Sequence, residues 1–350
     1  MQASRKMLRV AAVLTLALAS GCTTIAGWRH SMHTASIHRQ QNEEAADRNS
    51  DTQADRQAKQ KLTQQEANLA HLQTELAKRS DADSLAASAL FARLLGGSTL
   101  ATSLDLAARA VAAAPQRADL AFLQLQLCES TPDCAPGQLE LHLSQLDPDN
   151  GMPWLYALMR ADRANVNGPW RAIREGLSRA PRITTYWNSI VSHLSVAAAG
   201  HQGFDTVTAM LDVIGAESSL VPALQPLSRA CSVEDVKVPE VLAQCRQIAA
   251  ALMKADTVLL EAYGSTLAIR LWPVGSAQRQ QVLSQRRVVR YRIDEMSRYP
   301  AKFNSPGATR ALARYVQRYP SEQLALRALF AELGVPPDPP AKWVDAAPGG

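Results

Sequence analysis

Apolar positions fall into blocks along the chain, and their spacing changes from a solid run to helical periods. Residues 10–19 form an apolar stretch interrupted only by Thr15, preceded by Arg5, Lys6 and Arg9 and followed by the small residues Ser20 and Gly21. Ten helical residues rise only ~15 Å, half of a ~30 Å hydrocarbon core, so the run is too short for a lasting membrane span. Residues 23–55, with "RQQNEEAADRNSDTQADRQ", offer no apolar face and read as a tether. As coil, thirty such residues reach ~30 Å. Leu62, Leu69 and Leu76, with Leu72 between them, then set a short heptad-like seam, expected to pack on the protein's own body, and "RSDAD" ends it. Ser80 and Asp83 are expected to form a capping box for a new helix through Leu85, Leu90 and Leu94, stopped by Gly96 and Gly97.

Beyond residue 100 the pattern repeats. Pro115, Pro148 and Pro181 are spaced by 33 residues, and each follows a helix-like segment: "LDLAARAVAAAP", "QLELHLSQLDP" and "WRAIREGLSRAP". Six residues past the prolines stand Ala121, Trp154 and Trp187, and ten past them Leu125, Leu158 and Val191, positions that share one helical face. The period, the helix-closing prolines and the two tryptophans resemble the tetratricopeptide repeat over roughly residues 100–215, with "LDPDNGMPWLYALMRA" as its most specific piece. That family expects small residues where paired helices approach. Here Leu125, Leu158 and Val191 fall on one such position and Pro136 and Pro169 on the other, so the resemblance is degenerate.

Helical faces continue through "PEVLAQCRQIAAALM", "DTVLLEAYGSTLAIRLW", "AQRQQVLSQRRVVRYRIDEMSRY", "ATRALARYVQRY" and "SEQLALRALFAELG". Ser321 should cap the last helix and Gly334 stop it, leaving a proline-rich tail over 335–350 that Trp343 could dock on the body or a partner. The expected fold is all-α: stacked antiparallel helical hairpins, a tetratricopeptide-like α-solenoid, following a lipidated tether. The expected divisions are a signal at 1–21, a tether with its short helix at 22–80, the helical domain at 81–334 and the tail.

"LASGC", residues 18–22, resembles the lipobox of bacterial lipoproteins, with Ala19 where a larger aliphatic is commoner and Leu18 one position earlier. The resemblance implies a diacylglyceryl thioether on Cys22 and an anchor to the membrane through lipid. Thr23, in place of an aspartate, is similar to the outer-membrane default of enterobacterial lipoproteins, so the expected location is the cell envelope, facing the periplasm.

Composition changes little once the signal is set aside. The net charge of +5 includes three signal residues, leaving 34 basic against 32 acidic residues, and alanine, leucine, glutamine and arginine favour helix. Apart from Cys22 there are Cys128, Cys134, Cys231 and Cys245, an even number for an exported chain. Of three possible pairings, the local one, Cys128–Cys134 with Cys231–Cys245, closes short loops and would contribute about 2 and about 3 kcal/mol. Neither pair has common zinc spacing. His30, Met32, His33 and His38 read as tether residues, since no carboxylate or cysteine completes a metal site there.

Recognisable catalytic chemistry is absent from the pattern: no phosphate-cradling glycine loop, no H-E-x-x-H, no G-x-S-x-G and no C-x-x-C. No catalytic residue, metal or cofactor is implied. Charge is most uneven over 279–318, where ten basic residues meet only Asp294 and Glu295. Val282, Val289, Ile293 and Met296 should be buried, leaving Arg287, Arg290 and Arg298 outward, with Arg290 able to pair with Asp294. The leading expectation is a scaffold that binds another envelope protein. The alternative is a binder of an anionic glycan or lipid through Arg286, Arg287, Arg290 and Arg292, and an enzyme comes third. Nucleic acid is not expected at this address, and the sequence sets no oligomeric state.

Overall fold

A computed structural model describes residues 53–96, 100–131, 134–166, 168–201 and 203–344. The signal, Cys22 and the tether histidines lie outside them. Sixteen α-helices and one 3-10 turn occur among the described residues, with no strand and a single parallel bridge between Asn150 and Arg182. None of these helices is long and apolar enough to cross a membrane.

Helix α1 (Gln53–Ala77) buries Leu69, Leu72 and Leu76 against α2 (Ala82–Leu95), so the seam packs on the protein itself. The side chain of Leu62 is outside the described set. The start of α2 differs from the expected capping box. Asp81 is the N-cap, accepting from the Ser84 amide at 2.9 Å, while Asp83 accepts from Arg117 at 3.0 Å. Residues 84–92 of α2 are all buried, because alanines and serines at 84, 86–89 and 92 let neighbours approach from every side. Ser88 Oγ donates to the Gln73 carbonyl, and Ser103 Oγ donates to that of Ala89.

Three helix pairs follow one another along the chain: α3 (Leu100–Ala113) with α4 (Ala118–Glu129), α5 (Gly137–Leu146) with α6 (Met152–Arg163), and α7 (Trp170–Arg179) with α8 (Trp187–Ala198). The first two pack as hairpins, whereas α7 lies on α6 and on the helix at Pro239–Leu252, and α8 lies on α2 and on the helix at Thr206–Ser218. The first member of each pair ends two residues before Pro115, Pro148 or Pro181. Proline disfavours the helical conformation of its predecessor and cannot donate to the helix. Pro136 and Pro169 occupy equivalent N-cap positions, where their missing N–H costs nothing. Leu125, Leu158 and Val191 are fully buried. Trp154 departs from that face: it is 40% exposed and lies flat over Gly176, where an added Cβ would come within 2.6 Å of the indole.

In an open solenoid each repeat touches only its neighbours. Here α2 also packs against α8 and against α9 (Thr206–Ser218), about a hundred residues further along the chain, so the early and later helices close around one alanine-rich rod. The remaining helices are α10 (Gln225–Ala230), α11 (Pro239–Leu252), α12 (Val258–Leu271), α13 (Ala277–Arg298), α14 (Pro300–Phe303), α15 (Pro306–Arg318) and α16 (Glu322–Glu332). Of these, α15 returns to pack on α8 and α9. Val258, Val289, Ile293, Ala308, Ala311, Leu326 and Leu329 form a second apolar cluster between the last helices.

Candidate functional site

The four cysteines adopt the local pairing. Cys128–Cys134 and Cys231–Cys245 stand at bonding distance, with Cα separations of 5.4 and 5.9 Å. Each pin lies near a helix end: Cys128 is in the last turn of α4, and Cys231 ends α10, tying it to α11.

The arginines of α13 do not form an outward patch. Arg287 turns to the tail, donating to the carbonyls of Pro340, Ala341 and Trp343, and its guanidinium lies 5.6 Å from the Trp343 ring centroid. Arg292 is buried and donates to the Pro337 carbonyl at 3.3 Å. Burial depresses its pKa, against the attraction of Glu261 and Asp338. Arg298 is exposed, as expected, and pairs with Asp294 at 2.6 Å and Glu295 at 3.3 Å. Arg286 and Arg290 are partly exposed. The tail is therefore docked: Val335 is buried beside Tyr291 and Phe330, and Trp343 meets Tyr291 edge-on while its indole N–H donates to Asp294 at 3.1 Å.

Chemistry-bearing side chains gather instead where α8, α12 and α16 begin. The link between α7 and α8, residues 180–186, runs extended across the molecule. On one side it is held by the α5–α6 loop. Asn150 donates to the Thr184 carbonyl and accepts from the Thr184 amide, and Tyr186 donates from its hydroxyl to Asp147, which also pairs with Arg182. Tyr186 adopts a left-handed conformation, φ 55°, uncommon for a bulky residue, and this turns the chain into α8. Burial, and then the hydrogen bond to Asp147, push its phenol pKa up.

On the other side stands Asp256, from the α11–α12 loop. It accepts from the amides of Thr185 at 2.9 Å and Trp187 at 3.2 Å and so caps α8 in place of a local side chain. Glu322 adds to the cap of α12, accepting from the Val258 amide at 2.8 Å beside the local Thr257 hydroxyl that accepts from the Leu260 amide, while the Glu322 amide donates to the Asp256 carbonyl at 2.9 Å. Ser321, expected to cap α16, is at the N-cap but its side chain makes no capping bond. Glu261 accepts from Gln285 through Oε1 at 3.0 Å, and its Oε2 is buried without a partner, as is Gln323 Oε1. A cavity of about 360 Å³ opens over this junction, lined by Arg182, Thr184, Lys254, Asp256, Glu261 and Gln323 among others.

Burial dominates the electrostatics. It pushes Glu322 up to about 7, against the Val258 hydrogen bond and with the charges of Asp256 and Glu261 adding to the rise. Asp256 and Glu261 are also raised by burial, despite hydrogen bonds that favour ionisation. None of the three carboxylates has an ion-pair partner among the described residues, and no group of three metal-ligating side chains there could hold a metal ion. Sequence reasoning passed over all three. Asp256 before Thr257, and Glu322 after Ser321, look like ordinary helix-start residues, and nothing local marks them as buried.

Comparisons of the chain with protein-family models, with curated proteins and with solved structures found no match.

Proposed function

We propose that the chain is a lipoprotein of the bacterial cell envelope, anchored through Cys22 and serving as a scaffold or adaptor for another envelope protein. The observation that carries the reading is the ordered set of Arg5, Lys6 and Arg9, the apolar run, and "LASGC" at its end. Two disulfide pairs support the same address, because such bonds persist in oxidising compartments. The adaptor role draws on the 33-residue register of the helices, two of whose three consecutive pairs pack as hairpins, read as degenerate tetratricopeptide-like repeats whose faces suit an extended partner. The rival reading, an anionic glycan or lipid on the α13 arginines, requires the tail to leave, since Arg287 and Arg292 are engaged with its carbonyls.

The test is metabolic labelling with a fatty-acid probe, followed by crosslinking in intact cells and mass spectrometry of what is purified with the chain. Label on the wild type and none on Cys22→Ser is expected, with one envelope protein recovered in near-equal amount. An unlabelled wild type overturns the anchor, and recovery of glycolipid without protein overturns the adaptor role.

A further inference from the structure

Two buried carboxylates, Asp256 and Glu322, interlock the starts of α8, α12 and α16, and a third, Glu261, lines the cavity beside Asp256. Asp256 and Glu322 each sit at the positive end of a helix, which favours their ionised forms. Burial and mutual repulsion work against ionisation. Facing groups do not supply the missing positive charge. Arg292 from α13 attracts Glu261 but is held by Pro337 of the tail, Arg182 is paired with Asp147, and Lys254 at the cavity rim is exposed. From α9, buried Glu217 interacts electrostatically with Asp256 and adds a further acid on that side.

The count of donors points the same way. Glu261 Oε2 and Gln323 Oε1 are buried acceptors with no donor; the Gln323 amide itself acts on Glu261 in the direction of ionisation, against the larger effect of burial. Gln323 cannot supply the donor from its amide nitrogen without giving up its 2.6 Å bond to the Ala255 carbonyl. A proton on Glu261 would remove the buried charge and leave Oε2 a hydroxyl in place of an unpartnered anionic oxygen.

We propose that Asp256, Glu261 and Glu322 retain a proton between them and act as a pH-released latch for the end of the chain. With the proton in place, α16 is held on the starts of α8 and α12 through Asp256 and Glu322. When it leaves, three like charges share one buried junction, α16 loosens first, and the cavity above it widens. The latch answers to alkalinisation, since the docked state binds the proton and the released state gives it up to water. Release therefore grows by about tenfold per pH unit between the ordinary carboxylate range and the docked value.

Hydrogen exchange on the full-length, oxidised protein tests this, with rates corrected for the intrinsic pH dependence of amides. Peptides covering 256–262 and 321–332 are expected to lose more than about tenfold in protection between pH 5 and pH 8. The midpoint should lie near the Glu322 value of about 7. In a Glu217→Gln background, which removes the separate buried carboxyl on α9 that also rises to about 7, peptides of α2 should change less over the same range. Glu261→Gln and Glu322→Gln, which keep the shape and an acceptor oxygen, should flatten the response at the junction. Equal protection at both pH values, a loss shared equally by α2, or a folded Gln variant with the full pH response overturns the latch. If neither variant folds, the contrast between the junction and α2 in the Glu217→Gln background decides alone.

Discussion

Glu217→Gln isolates the cost of a buried charge at a position away from the cavity. Glu217 on α9 is 3% exposed, accepts one hydrogen bond from Gln126 Nε2 at 2.9 Å, and leaves Oε2 without a partner, as Gln126 leaves Oε1. Burial pushes its pKa from 4.5 up to about 7, with the Asp256 charge adding and the Gln126 bond opposing. A carboxyl whose folded pKa lies above its unfolded one stabilises the fold while it is protonated. That contribution is fully present below about pH 4.5 and is lost as pH rises through about 7. At about 1.4 kcal/mol per pKa unit, the loss amounts to roughly 3 kcal/mol at pH 8. Glutamine cannot ionise, and its amide can donate to Gln126 Oε1 while its oxygen still accepts from Nε2. Urea unfolding followed by far-ultraviolet circular dichroism is expected to find Glu217→Gln close to wild type at pH 4.5. At pH 8 the variant should be more stable by about 2–3 kcal/mol. A variant destabilised at pH 8, or one that differs from wild type equally at both pH values, refutes the reasoning.

Two glycines should respond in opposite directions. Gly264→Ala on α12 would place Cβ 2.7 Å from the Met253 backbone nitrogen and 2.6 Å from Leu252 Cβ, so melting should show a loss of about 2–3 kcal/mol. Gly215→Ala on α9 meets nothing within 4 Å and should gain about 0.5–1 kcal/mol from helix propensity. Reduction of Cys231–Cys245, or Cys231→Ser with Cys245→Ser, should cost about 3 kcal/mol in the same assay. Trp343→Ala removes the edge-on contact with Tyr291 and the bond to Asp294. Limited proteolysis should then cut residues 336–344 several times faster, while the core remains resistant.

The sequence by itself determined what depends on neighbours in the chain. The first helices of the three pairs end at Ala113, Leu146 and Arg179 because a proline two residues later forbids their extension, and that rule needs no tertiary context. The short disulfide loops follow from separations of 6 and 14 residues, and the burial of Leu125, Leu158 and Val191 follows from helical period. Tertiary structure decided everything that joins distant segments. Trp154 shares a helical face with Leu158 in the sequence, yet it is 40% exposed and its place depends on the bare backbone of Gly176 on the next helix. The arginines of α13 read as a free basic face until the tail, some fifty residues on, takes Arg287 and Arg292. The junction was legible least of all. Asp256 reaches back 71 residues to Thr185 and Glu322 reaches back 64 to Val258, so their desolvation arises only when α8, α12 and α16 meet. A carboxylate at a helix start has the same sequence signature whether water surrounds it or not, and the water is what sets its charge.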